Sequence, residues 1–178
     1  MERLYAPLVR TGNPVLHTDN TSAELAKYAS NAMLATRVSF MNEMAILCER
    51  VGADIESVRR VMGEDSRIGP RYLFAGCGYG GSCLSKDAHS LMFTANSVGA
   101  PLSLLTATEE VNRRQMSVLA AKLESVWGPG WPGRRIALWG LAFKPGTDDV
   151  RNAPSIQFAL DAIQRGASVV AYDPVAVE

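Results

Sequence analysis

The chain reads as a mainly α-helical domain followed by a partial α/β domain. Three observations predict this. Residues 22–51 contain neither proline nor glycine, enough for about eight turns of a single helix at 3.6 residues per turn. Gly128-Pro129-Gly130-Trp131-Pro132-Gly133 then interrupts every periodic pattern. Beyond it, two short apolar runs flank a helical stretch, the pattern of a βαβ unit.

The elements follow in order. Met1 to Thr18 carries Pro7, Gly12 and Pro14 and reads as irregular, with room for one short strand around Val15–His17. Asp19 or Thr21 is placed to cap the long helix, and Glu24 would complete a capping box from Thr21. The apolar residues Leu25, Tyr28, Met33, Phe40, Met41, Met44 and Leu47 fall on more than one face of that helix. A helix apolar on most sides must be covered on most sides, which predicts a subunit interface along residues 22–51. Gly52 ends it, Asp54 opens a second helix over Ile55–Met62, and Gly63 closes that one. A loop spans 64–82. A third helix is predicted over about Leu84–Val98, and a fourth over about Leu102–Val126 with Arg113, Arg114 and Lys122 outward. Arg135–Trp139 reads as a buried strand ending at Gly140. Pro154 opens a helix that continues through Ile156–Gln164 to Gly166, and Ser168–Tyr172 is a second strand. Two strands and one helix cannot bury a sheet on both faces, so the α/β part is expected to be cut short at its C-terminus.

Composition narrows the function classes. The 178 residues fit one domain or slightly more, and 47% hydrophobic with 20% charged residues is ordinary for a globular chain. Eighteen basic residues balance eighteen acidic ones, which argues against a nucleic-acid partner. The longest uncharged run, residues 88–108, is rich in polar residues and interrupted by Gly99 and Pro101, and no signal peptide is evident, so neither a membrane nor an export route is expected. Cys48, Cys77 and Cys83 lack disulfide or metal-ligand spacing, which suits a reducing cytoplasm. His17 and His89 have no ligand partners at useful spacing, so no metal is expected.

The chemistry concentrates in Gly76-Cys77-Gly78-Tyr79-Gly80-Gly81-Ser82-Cys83-Leu84-Ser85-Lys86-Asp87. Its glycines free the backbone and let a ligand lie against main-chain amides. Ala88, Leu91, Met92 and Ala95 follow with helical spacing, so a helix opens near Ser82–Ser85, with either serine able to cap it. Cys83 then stands at a helix N-terminus, where the dipole favours a thiolate, and Asp87 lies one turn on. Thiolate, carboxylate and anion-cradling loop together suggest covalent catalysis. The competing reading is a glycine turn before a helix with a small buried cysteine.

This stretch resembles the catalytic-cysteine signature of the UDP-glucose dehydrogenase family, whose usual pattern is Gly-x-Gly-Tyr-Gly-Gly-Ser-Cys-x-Pro-Lys-Asp; Ser85 stands where proline is expected. The likeness covers nearly the whole chain. Ser22-Ala23-Glu24-Leu25-Ala26-Lys27-Tyr28-Ala29-Ser30-Asn31 is similar to the start of the family's long central helix, where a lysine and an asparagine four residues apart face the active site; Lys27 and Asn31 match them. Asp65-Ser66-Arg67-Ile68-Gly69 resembles the segment whose arginine reaches the partner subunit's sugar site. Gly140-Leu141-Ala142-Phe143-Lys144-Pro145-Gly146-Thr147-Asp148-Asp149-Val150-Arg151 resembles the opening of the nucleotide-binding third domain.

The resemblance implies oxidation of UDP-glucose to UDP-glucuronate by two NAD-dependent hydride transfers. Cys83 would form a thiohemiacetal and then a thioester, Lys27 and Asn31 would stabilise the oxyanion, and Asp87 would orient or activate water. It implies substrate contacts from Arg67, Tyr72, Phe74, Gly78, Tyr79, Gly80, Gly81, Phe143 and Lys144, and cofactor contacts from Lys86 and Arg151. Judged without the motif, Lys27, Asn31 and Arg67 would be solvated surface groups, Tyr72 and Phe74 core, and Lys144 an exposed loop lysine. Cys77 reads as structural and Cys48 as core. The Asn31-to-Cys83 spacing favours UDP-glucose; the alternatives are another nucleotide sugar (GDP-mannose or an N-acetylated UDP-hexosamine) or a non-catalytic dimerisation fragment. A homodimer through the long helix is expected.

Against the family's layout, residues 1–18 would be the remnant of an N-terminal dinucleotide-binding domain, 19–127 the central helical domain, and 134–178 the start of a C-terminal UDP-sugar-binding (Rossmann-like) domain. No Gly-x-Gly-x-x-Gly precedes the long helix. After the first strand, Gly140 opens a loop without that spacing, and Asp173 lies too far along to serve as its ribose-binding acid. The NAD pyrophosphate site is therefore expected to be absent from this chain, with NAD a requirement of the intact enzyme.

Overall fold

The computed structural model describes residues 2–7, 9 and 15–176. A short helix α1 (Glu2–Tyr5) precedes the long helix α2 (Asn20–Val51). Val15–His17 is irregular, not a strand, since among the described residues no strand lies beside it to pair its amides. Gly12 and Pro14 lie outside the described residues. Asp19 is the cap of α2, its carboxylate accepting from Ser22 N at 2.9 Å, so the capping box from Thr21 is not used. Gly52 closes α2 in the left-handed region at φ 74°, which a Cβ would strain.

Asp54 caps α3 (Ile55–Glu64) by accepting from Glu56 N and Ser57 N. Gly63 does not end this helix but lies within it. A Cβ there would stand 3.2 Å from Pro70 Cα, so the glycine admits the returning loop. α4 (Leu84–Ser97) and α5 (Ser103–Gln115) pack against α2 and each other. The predicted fourth helix is two: it is interrupted at Met116-Ser117, and α6 (Val118–Trp127) follows. No glycine or proline causes that break. Ser117 N donates to the carbonyl of Arg114, a tight three-residue turn between the two helices.

The strands β1 (Arg135–Trp139) and β2 (Ser168–Tyr172) pair in parallel, Ile136 opposite Val169 and Leu138 opposite Ala171, joined by α7 (Pro154–Gln164). Pro154 occupies the first turn of α7, where its missing N–H costs nothing. One sheet face is covered by α6 and α7 around Trp131, Phe158, Ala162 and Ala120, with Ile136, Leu138 and Val169 packed on them. Trp127 meets Trp131 edge-to-face at 5.7 Å. The other face is bare: Trp139 is 88% exposed. β1 is thus half-buried, not buried, because a single helical layer covers only alternate side chains. Hence α6, although continuous with the helical part, shares its core with the α/β unit.

Candidate active site

The site is built where the glycine loop meets α2, α5 and the turn before α7. Cys83 is the residue at the N-terminal boundary of α4, exposed, with its carbonyl accepting the helix's first bond from Asp87 N at 2.9 Å. Neither Ser82 nor Ser85 caps α4 through its side chain; Ser82 Oγ instead lies 3.8 Å from Cys83 Sγ. The first-turn amides of α4 stay uncapped by any side chain beside the thiol, an environment suited to negative charge.

One turn along, Asp87 points back onto α2, and its side chain is 1% exposed. Its Oδ2 accepts from Lys27 Nζ and, at 2.6 Å, from Asn31 Nδ2, while Lys86 Nζ lies 3.2 Å from Oδ1. The i, i+4 spacing of Lys27 and Asn31 is what lets both reach one carboxylate. Burial pushes the Asp87 carboxyl up, but the hydrogen bonds from Lys27, Asn31 and Lys86 outweigh it and hold it below the ordinary carboxylate range. Its hydrogen bond to Asp87 raises Lys27 above the ordinary lysine range, and a smaller contribution comes from nearby Cys83. Lys27 retains two further N–H donors beyond the one given to Asp87.

The glycines mostly serve close packing. A Cβ on Gly80 would fall 2.2 Å from the Asn152 carbonyl oxygen, and one on Gly81 2.7 Å from the Phe143 ring. Gly81 N donates to the Arg151 carbonyl at 2.9 Å, and Tyr79 N donates to Asn112 Oδ1 at 2.8 Å. Both of those amides, expected to face substrate, are therefore occupied within the chain. Asn152 itself sits at φ 51°, in the left-handed region that asparagine tolerates best after glycine. Arg151 forks onto Asp149 at 2.9 and 2.7 Å, which holds the Asp149 carboxyl down at about 2.

Cys83, Lys27, Asn31, Asp87 and Lys86 thus share one cluster, with Gly81 linking it to Phe143 and Arg151. Phe143 and Lys144 also line a cavity of about 420 Å³ under the 140–147 loop. Arg67, Tyr72 and Phe74 are not in this cluster. Their loop is held to α2 by Arg37, which donates to the carbonyls of Ile68 and Gly69 at 2.8 and 2.7 Å. Arg37 lies ten residues, about 15 Å, along the helix from Lys27. Arg67 pairs with Asp65 and is 87% exposed. Tyr72 and Phe74 are exposed, with Arg59 stacked over Phe74 at 4.6 Å, and the core residue of this loop is Leu73 between them. Cys48 is buried, and burial pushes the half-buried Cys77 thiol up. Sequence reasoning missed Asn42, Asn112, Gln115 and Asn152. The available signal was weak: asparagine is a poor helix former, yet Asn42 and Asn112 sit inside helices.

Among the described residues, the main-chain amides after β1 are already bonded within the chain. The amides of Leu141 and Ala142, at the end of β1, are bonded to Asp173 Oδ2 at 2.7 and 3.1 Å. Asp173 also accepts from Val175 N and Ala176 N, so it is a structural pin and not a free ribose acceptor. Those four bonds hold its carboxyl far below the ordinary range.

Residues 21–114 match the model of the UDP-glucose/GDP-mannose dehydrogenase family, central domain, and residues 137–178 match the UDP binding domain of the same family. The chain belongs to the UDP-glucose/GDP-mannose dehydrogenase family. It is 50% identical over 176 residues to the UDP-glucose 6-dehydrogenase of Pseudomonas aeruginosa, covering 99% of this chain and 39% of that protein. A Bacillus subtilis UDP-glucose 6-dehydrogenase is 48% identical over 177 residues, again 99% of this chain and 39% of the relative. A UDP-glucose dehydrogenase structure from Pyrobaculum islandicum superposes with a TM-score of 0.87 at 39% identity, over 99% of this chain and 41% of that one. The chain therefore spans about two fifths of the length of these family members.

Proposed function

We propose that this chain is the nucleophile-bearing portion of an enzyme that oxidises UDP-glucose to UDP-glucuronate, with NAD as hydride acceptor. The observation that carries the reading is the exposed Cys83 at the start of α4, one turn from a carboxylate gripped by Lys27 and Asn31. Removal of a hydride and a proton from the sugar's C6 alcohol leaves an aldehyde. Cys83 Sγ attacks that carbon, forming an S–C bond and an oxyanion that the free donors of Lys27 and Asn31 stabilise. Loss of a second hydride gives the thioester. Water, oriented by the ionised Asp87, attacks; the C–S bond breaks, the water's two protons pass to solvent, and the carboxylate leaves with the thiolate regenerated. Lys86 and Arg151 are the residues of this chain that would face the cofactor, which when bound supplies the hydride acceptor.

Phe143 and Lys144 are assigned to the UDP-sugar, and Arg67 with Tyr72 and Phe74 to the sugar site of a second copy, which the distance along α2 from Lys27 to their Arg37 anchor favours. Residues 1–18, 19–127 and 134–178 correspond to the end of a dinucleotide-binding domain, the central domain and the start of the UDP-sugar domain. The exposed Leu25, Met33, Phe40 and Leu47 of α2 support a homodimer, and three free cysteines suit a reducing cytoplasm. The test is NADH and acid formation by the intact protein carrying Cys83→Ala, offered UDP-glucose, GDP-mannose and a UDP-N-acetylhexosamine. Wild type should prefer UDP-glucose and the variant should make no acid; normal glucuronate output from the variant would sink the reading.

A further inference from the structure

Three carboxamide side chains grip the main chain of the glycine loop on both sides of Cys77. Asn112, buried on α5, accepts from Tyr79 N at 2.8 Å and donates to Tyr79 O at 3.1 Å, a two-point grip of the kind one strand gives another. Asn42, fully buried on α2, accepts from Gly76 N at 2.8 Å. Gln115, one turn beyond Asn112, donates to Gly76 O at 2.7 Å. The main-chain polar groups of two loop residues are thereby all satisfied by side chains from α2 and α5. Further along, Tyr79 is buried and its hydroxyl donates to Glu109 on α5. Helix interiors disfavour asparagine, and Asn42 keeps a buried Nδ2 without a partner, so these residues carry a cost that packing alone would not select.

We propose that Asn42, Asn112 and Gln115 are positioning residues for the nucleophile: they fix the Gly76–Tyr79 backbone so that Cys83 is delivered to the start of α4 beside Lys27. This rests on Cys83 as the nucleophile. A glycine-rich loop left to itself samples many backbone conformations, and each of these bonds removes some of that freedom before substrate arrives. The loop is thus held from the helical side by amides and from the α/β side by the Arg151 carbonyl.

The experiment compares Asn112→Ala with Thr108→Val in the 178-residue chain. Thr108 is equally buried one turn earlier on α5, but its hydroxyl bonds Leu104 O and Thr36, not the loop. Iodoacetamide labelling at pH 7, read by mass spectrometry, gives the rate at Cys83 relative to N-acetylcysteine in the same tube, and amide exchange reports Tyr79. Asn112→Ala is expected to lower this rate ratio at least threefold and to speed exchange at Tyr79 at least tenfold. Thr108→Val, although less stable than wild type, should leave both unchanged. Gln115→Met, which removes a single bond at constant bulk, should lower the ratio in the same direction and serves if Asn112→Ala does not fold. A ratio unchanged or raised in the loop variants, or moved equally by Thr108→Val, would overturn the proposal. Labelling does not depend on turnover, so an inactive role for Cys83 in the enzyme would leave this readout intact.

Discussion

Lys27 of α2 donates a hydrogen bond to Asp87 of α4 across 60 positions of sequence, and Asn31 joins it on the same carboxylate oxygen. The pairing fixes the sign of a pH effect. Asp87 is held low by its partners, so its contribution is present above the ordinary carboxylate value and is lost as pH falls through its own lower one. Lys27 is held high, so its contribution is complete below the ordinary lysine value and is lost as pH rises through its own higher one. The stability difference between wild type and Asp87→Asn should therefore be flat from about pH 5 to pH 9 and shrink on the acid side below about pH 4, given ordinary values near 4 and 10. Urea unfolding across pH measures it.

The three thiols should separate cleanly. Cys83 is exposed, Cys77 half-buried with its thiol pushed up, and Cys48 buried. Alkylation of the native chain should modify Cys83 first and Cys48 last, and Cys77→Ala should leave activity of the intact protein nearly unchanged. Peptide mapping at short labelling times checks the order.

Gly76 and Gly80 differ in what surrounds them. No heavy atom lies within 4 Å of a Cβ built on Gly76, whereas one on Gly80 strikes the Asn152 carbonyl. Gly80→Ala should cost about 1–3 kcal/mol by forcing backbone apart. Gly76→Ala should stay within about 0.5 kcal/mol. Denaturant midpoints of the two variants give the comparison.

The exposed apolar residues of α2 predict a dimer. Light scattering at micromolar concentration should return twice the chain mass of 19.2 kDa, and the melting temperature should rise with concentration. Placing a charge at Phe40, which is 45% exposed, should shift the mass toward the monomer.

With the amides after β1 committed to Asp173, the isolated chain should bind NAD weakly or not at all. Calorimetric titration decides it, and micromolar affinity would show that the cradle has been misplaced.

Much of this was legible in the sequence because local chemistry specified it. Asp19, Gly52, Asp54 and Pro154 punctuate helices by rules that act within a few residues. Lys27, Asn31, Cys83 and Asp87 belong to motifs, and the structure brings them together. The helix break at Met116-Ser117 was not legible, because nothing local demands it; it arises from α6 packing on Trp131 and Phe158, far along the chain. Gly63 looked like a stop and is a contact for Pro70. The amides of Asn42, Asn112 and Gln115 were silent for the same reason: their partners are main-chain atoms, which leave no trace in residue type.

The glycine-proline break at residues 128–133 marks where the chain changes composition, but the load between its two halves crosses elsewhere. Gly80 lies against Asn152, Gly81 against Phe143, and the Arg151 carbonyl accepts from Gly81. A chimaera joined at the obvious break would inherit a glycine loop shaped for one turn and an α7 entry shaped for another. Exchange of the α/β unit between relatives would then have to carry residues 143–153 and the glycines of 78–81 as one inherited block. Recombination would respect that seam, not the one that composition suggests.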